Sequence, residues 1–145
     1  MNKEFIIAIV DDDEIAQFTL GKMIEKKEIA KQILSFSDGE SAFDFVKLNM
    51  AQPALLPDAI LLDLNMPVMD GWQFLDEFMK MKADLPKPIL IYIVTSSVDE
   101  VDISRAKALD EISGYLIKPI LPEHVKLIVE MLASNAERRF SSNGS

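Results

Sequence analysis

Four acids stand in a row, Asp11-Asp12-Asp13-Glu14, directly after the apolar run FIIAIV at 5–10. A second apolar run, Ile60-Leu61-Leu62, stops at a single carboxylate, Asp63, and Asn65, Pro67, Asp70 and Gly71 follow at once. These are turn-forming residues, so Asp63 is placed at the carboxyl end of a buried strand, at the mouth of a loop. Ligands bind along that edge in open α/β sheets. An acid there is either a cap for the turn or a metal ligand and nucleophile. Two further apolar runs end in polar side chains, Thr95 after ILIYIV at 89–94 and Lys118 after Tyr115-Leu116-Ile117. Acids at a helix start are favourable as caps, but four packed carboxylates repel one another, a cost that a bound cation relieves. Metal, ammonium and hydroxyl together neutralise the oxygens of a phosphoryl group during in-line transfer. A carboxylate such as Asp63 then serves as nucleophile, through an aspartyl phosphate.

The elements that must position these groups follow from periodicity. Strands are expected at Phe5–Val10, Ile33–Phe36, Ala59–Leu62, Ile89–Val94 and Tyr115–Ile117. The first, third and fourth are apolar throughout, as strands buried on both faces are. Helical spacing recurs between them: Ala16, Leu20, Met23 and Ile24; then Ala42, Phe45 and Val46; then Gly71, Phe74, Leu75, Phe78 and Met79, closed by Pro86 and Pro88. Ser37–Glu40 and Ser97–Glu100 have capping-box spacing, and Pro122 suits a first helical position before Val125, Ile128, Val129 and Leu132. The fourth helix has a thin apolar face, Val101, Ala108 and Leu109. Trp72 is read as packing and His124 as a surface residue. Residues 1–133 form the domain, and 134–145 are expected to be a polar, disordered tail.

Five strands alternating with five helices predict an α/β fold, a doubly wound parallel sheet in the flavodoxin-like order 2-1-3-4-5. All strands then present their carboxyl ends on one side, which gathers Asp11, Asp12, Asp63, Thr95 and Lys118. Neighbouring strands lie about 4.8 Å apart, so Asp12 and Asp63 can share one small cation. An all-oxygen site with open positions suits Mg²⁺, and a backbone carbonyl near Asn65 can add a ligand.

Bulk properties exclude several classes. A chain of 145 residues with 49% hydrophobic content supports one domain with a proper core. No apolar run approaches the roughly 18 residues of a bilayer span, and no secretory signal opens the chain. With no cysteine and a net charge of −9, the chain is expected to be a cytoplasmic protein that binds neither membrane nor nucleic acid unaided.

Taken together, IVDDD at 9–13, LLDLNMPVMDG at 61–71, VTS at 94–96 and GYLIKP at 114–119 resemble a response-regulator receiver domain of the CheY-like kind, over roughly residues 4–133. The resemblance implies a stand-alone receiver of a two-component or phosphorelay system, with Asp63 as phospho-acceptor and Asp11 and Asp12 as the acidic pair. It implies Mg²⁺ held by Asp12, Asp63 and the Asn65 carbonyl, with Asp11 acting through a water. Thr95 is then the switch hydroxyl and Tyr115 the switch aromatic, which moves into space that Thr95 leaves. Lys118 binds phosphate and is joined to Pro119 by a cis peptide. The implied donors are a histidine kinase, a histidine phosphotransfer protein or acetyl phosphate. The face of the fourth helix, fifth strand and fifth helix changes on phosphorylation and meets a downstream protein or a second copy. Two features depart from the pattern: the 52–57 loop is long, and Leu64 stands where some relatives carry tryptophan. One rival is a Mg²⁺-dependent phosphohydrolase with an aspartyl-phosphate intermediate. Its general acid would stand two residues after the nucleophile, where Asn65 cannot transfer protons. A phosphate-independent interaction module of the same fold is a further rival.

Overall fold

Every residue of β1 (Phe5–Val10) and β3 (Ala59–Leu62) is buried, as is all but the first of β4 (Leu90–Thr95). These three apolar strands form the centre of a parallel sheet in the order β2-β1-β3-β4-β5, with β2 (Ala30–Phe36) and β5 (Ile112–Ile117) at the edges. The computed structural model describes residues 4–143, and side-chain surroundings over 4–135. Alternation along the strands divides the core between the two faces. Val10, Ile60, Leu62 and Ile93 point to α2 (Gly39–Leu48) and α3 (Gly71–Met81), where they meet Val46, Phe74 and Phe78. Ile7, Ile9, Leu61 and Val94 point to α1 (Glu14–Lys26) and α5 (Pro122–Asn143), where they meet Leu20, Ile24, Val125 and Ile128. The predicted fold class and strand order are those observed.

Boundaries differ for physical reasons. The edge strands begin earlier than their apolar runs, because pairing with a central strand recruits polar residues such as Gln32, opposite Ile6, past an irregularity at exposed Lys31. The helices α2 and α4 (Glu100–Lys107) are capped by Asp38 and Asp99, not by Ser37 and Ser97. Val101 is 72% exposed, Ala108 and Leu109 lie beyond the helix end, and Ala106 is the residue that is buried. The α5 backbone continues to Asn143, where a disordered tail was expected past 133. Ala, Glu and Arg at 136–139 favour helix, and no Gly or Pro intervenes before Gly144. Two terminal residues of that tail, 144–145, lie outside the described residues. Among the described residues, no helix is long and apolar enough to cross a membrane.

Candidate functional site

The register Val10↔Leu62 brings the ends of β1 and β3 level, so the next residues, Asp11 and Asp63, leave the sheet side by side. The Asp63 amide still donates to the Val10 carbonyl (2.9 Å), and the Asp11 amide to Phe36 (3.0 Å), so both backbones are pinned by the ladder. Carboxylate oxygens of Asp11, Asp12 and Asp63 all lie within 4.8 Å of one another, with Asp11 and Asp63 buried and Asp12 exposed. From the far side, the Lys118 amide donates to the Thr95 carbonyl (2.8 Å). That bond aims the Lys118 ammonium inward, to 2.7 Å from Asp11 Oδ2 and 3.4 Å from Asp63 Oδ2. The Lys118–Pro119 peptide is cis.

The electrostatics show one ammonium shared by two buried carboxylates. Burial pushes the Asp11 carboxyl up, and the charge of Asp63 adds to the rise. The bonds from Lys118 and from the Asp13 amide oppose it without cancelling it. Burial pulls the Lys118 ammonium down, but the bond to Asp11 and the charges of Asp63 and Asp11 outweigh that, and the net shift is upward. An ion pair alone would lower the acid, so the rise of Asp11 marks first the cost of its burial, with the charge of Asp63 a smaller part. Three carboxylates beside one ammonium leave negative charge in excess, and their hard oxygen donors fit a small divalent cation.

The loops hold this geometry closely. Asp13 is the N-cap of α1, its carboxylate accepting the Ile15 and Ala16 amides. Asp70 and Gln73 form a reciprocal capping box at the start of α3. Gly71 donates its amide to the Leu64 carbonyl (2.9 Å), and a Cβ there would come within 2.5 Å of the Asp63 carbonyl oxygen. Only glycine lets α3 start this close to Asp63. On the other flank, fully buried Thr95 accepts the Ser97 amide at its hydroxyl (3.3 Å), which leaves its own proton free to donate.

Comparison with known proteins gives the family. Residues 7–130 match the family model described as the response regulator receiver domain. The chain belongs to the response regulator receiver family. It is similar to the probable methanogenesis regulatory protein FilR2 of Methanothrix harundinacea (strain 6Ac), at 29% identity over 126 residues, covering 87% of this chain and 79% of that protein. Over the next three curated relatives, the match spans 20%, 38% and 54% of their lengths. The fold is that of a two-component response regulator from Cytophaga hutchinsonii (TM-score 0.82, 24% identity, 92% of this chain and 99% of that one). It is also similar to the Mn(2+)-bound form of response regulator Rcp1 (TM-score 0.69, 27% identity, 86% of this chain and 88% of that one).

The receiver brings Asp11, Asp12, Asp63 and Lys118 into one cluster, with Thr95 joined to Lys118 through its backbone. Exposed Asn65 sits at the rim, its amide 3.4 Å from Asp63 Oδ1. Tyr115 is half-buried, and its hydroxyl already donates to the Ser97 carbonyl (2.9 Å). His124 lies at the surface, where its Nδ1 accepts the Leu121 amide (2.9 Å) at the start of α5. Gln17 carries no motif signal, yet its amide nitrogen donates to the Asp11 and Phe36 carbonyls (2.7 and 2.8 Å) and ties α1 to the acidic loop. Ser97 as a link and Asp102 carry no motif signal either. A lone polar residue on a helix carries no sequence signal for such a role.

Proposed function

We propose that this receiver accepts a phosphoryl group on Asp63 and thereby switches the surface formed by α4, β5 and α5. One observation carries the reading: a buried carboxylate at a strand end faces an ammonium at 3.4 Å and shares its oxygen cluster with Asp11 and Asp12. An Asp63 oxygen attacks the phosphorus of a phosphohistidine or of a small acyl phosphate. The bond to the donor breaks, and its electron pair leaves with the imidazole or the carboxylate. Lys118 supplies positive charge to the transferring oxygens, and the free Thr95 proton supplies a hydrogen bond. Asp12, Asp63 and the Asn65 carbonyl would hold Mg²⁺, with Asp11 through a water. When bound, the ion supplies further charge neutralisation. The Mn(2+)-bound form of Rcp1 supports a divalent cation here.

The donor is a histidine kinase or a histidine phosphotransfer protein. Ile15 and Phe18 of α1 stand 77% and 67% exposed beside the acidic loop, an apolar landing for such a partner. Val101, Ile117 and Leu127 are exposed on α4, β5 and α5, which suits a downstream protein or a second copy. Intact-mass measurement after acetyl phosphate and Mg²⁺ tests the acceptor. One phosphoryl mass is expected in the wild type, lost with chelator and lost in Asp63→Asn. A gain that persists in Asp63→Asn overturns the assignment.

A further inference from the structure

Asp102 lies outside the acidic cluster, yet hydrogen bonds lead from it to the Thr95 hydroxyl. Its Oδ2 accepts the Ser97 hydroxyl (2.7 Å) and its Oδ1 accepts the Trp72 indole N–H (2.9 Å). Ser97 is a junction. Its amide donates to the Thr95 hydroxyl (3.3 Å), its carbonyl accepts the Tyr115 hydroxyl (2.9 Å) and its own hydroxyl accepts the Asp99 amide (3.3 Å). The Arg105 guanidinium stacks 4.3 Å over the Trp72 ring and reaches Asp76 of α3 at 3.7 Å.

Apolar burial does not account for where α4 sits. The helix has eight residues and buries only Ala106. So short a helix is marginal without tertiary anchoring. Besides Ala106 in the core and the packing of α4 on β5, the polar contacts to α3 and to the β4–α4 loop anchor it. A carboxylate that accepts two directed donors fixes both in angle as well as distance. The bonds from Ser97 and Trp72 hold the Asp102 carboxyl below its ordinary range, so it stays ionised in its accepting form.

We infer that Asp102 is a positioning residue for phosphoryl acceptance: through Ser97 it sets the Thr95 hydroxyl and the Tyr115 hydroxyl, and through Trp72 it locks that arrangement to α3, the helix that starts beside Asp63. The inference rests on the reading of Asp63 as phospho-acceptor. In the ordered loop the Thr95 oxygen accepts from Ser97, which leaves its proton for the incoming phosphoryl oxygen. Without Asp102 the Ser97 hydroxyl loses its charged partner, and the loop must be ordered by the ligand itself, which weakens binding.

The test uses the full chain and beryllofluoride with Mg²⁺, a stable mimic of an aspartyl phosphate, titrated by calorimetry. Hydrogen exchange of the α4 amides is followed without ligand. Asp102→Ala and Ser97→Ala are each expected to weaken beryllofluoride roughly tenfold, the lower end for outer partners that orient a binding group. Both should speed α4 exchange. Ser97→Thr keeps the hydroxyl and should bind within about twofold of the wild type by the same reasoning. Equal affinity in the wild type and both alanine variants overturns the inference even where α4 exchange rises, because Asp102 then holds the helix without reaching the site. Unchanged α4 exchange overturns the anchoring itself. A wild type that takes no beryllofluoride overturns the acceptor reading, and the inference with it. That failure shows as absent binding in every chain, not as a difference between them.

Discussion

Replacing Lys118 by methionine keeps the aliphatic stem and removes the one ammonium that two buried carboxylates share. The lysine side chain is 20% exposed, and those of Asp11 and Asp63 are 6% and 9% exposed, at 2.7 and 3.4 Å. At an effective dielectric of about 20, these contacts are worth roughly 6 and 5 kcal/mol of gross attraction. Most of that is not net, because the lysine regains hydration when the site unfolds. A carboxyl left unpaired also has an escape, since it can take a proton. From the ordinary value of 3.8 for Asp11, that costs about 4 kcal/mol at pH 7, which sets a ceiling on the penalty from one acid. Lys118→Met should therefore lower stability by about 2–4 kcal/mol in chelator, read from urea unfolding with an unchanged slope. Mg²⁺ should restore more stability to the variant than to the wild type, because the ion then meets no competing ammonium. At a hundredfold excess over its dissociation constant, a ligand adds about 2.7 kcal/mol. A chelator-state loss under about 1 kcal/mol would refute the sharing of one ammonium by both acids. So would an equal Mg²⁺ response in the two proteins.

Two other predictions test parts of the fold away from the acidic cluster. Asp58, 12% exposed at its side chain, accepts the Ile6 amide (2.8 Å) and pairs with Lys87 (3.1 Å). Asp58→Ala should cost about 2–3 kcal/mol in urea unfolding while phosphoryl acceptance on Asp63 is kept, and a loss below about 1 kcal/mol would contradict the pairing. Because the folded pKa of Asp102 lies below its ordinary 3.8, its contribution is complete above that value and is lost as pH falls through the depressed one. Trp72 emission should accordingly step only below pH 3.8 and show no such step in Asp102→Asn, and a step at higher pH in the wild type would refute the assignment.

The centre of the fold was legible because β1, β3 and β4 are buried on both faces, and an unbroken apolar run has few other uses. The strand ends were legible for the opposite reason. Asp63 and Lys118 interrupt such runs with charges that have no business in a core. The edge strand β2 extends past its apolar run because Ala30 and Gln32 pair with β1 around exposed Lys31, and periodicity cannot see that backbone pairing. The cap of α4 was misplaced because Ser97 and Asp99 both suit the position. Asp99 caps, its carboxylate accepting the Val101 amide, while tertiary contacts hold Ser97 outside the helix, its hydroxyl donating to Asp102 and accepting the Asp99 amide. Gln17 and Asp102 were illegible for the same reason. Their roles depend on what approaches them from other elements.

The acidic run at 11–14 looks redundant in sequence and is divided in space. Asp13 caps α1 and Glu14 lies in the first turn, where the helix dipole favours it, so these two are explained by the helix alone. Asp12 is exposed and close to the other two acids, while Asp11 is buried against Lys118 with its carboxyl pushed up. Apolar burial gives no reason to keep Asp11 and Asp63 together, because an isosteric apolar pair would spare their desolvation. A single ammonium leaves their charge uncancelled, and that residue of negative charge destabilises the resting domain unless something cationic binds. On the proposed reading, a domain built this way should be more stable with a divalent ion than without it. That places the site's excess charge with its chemistry rather than with the architecture of the sheet.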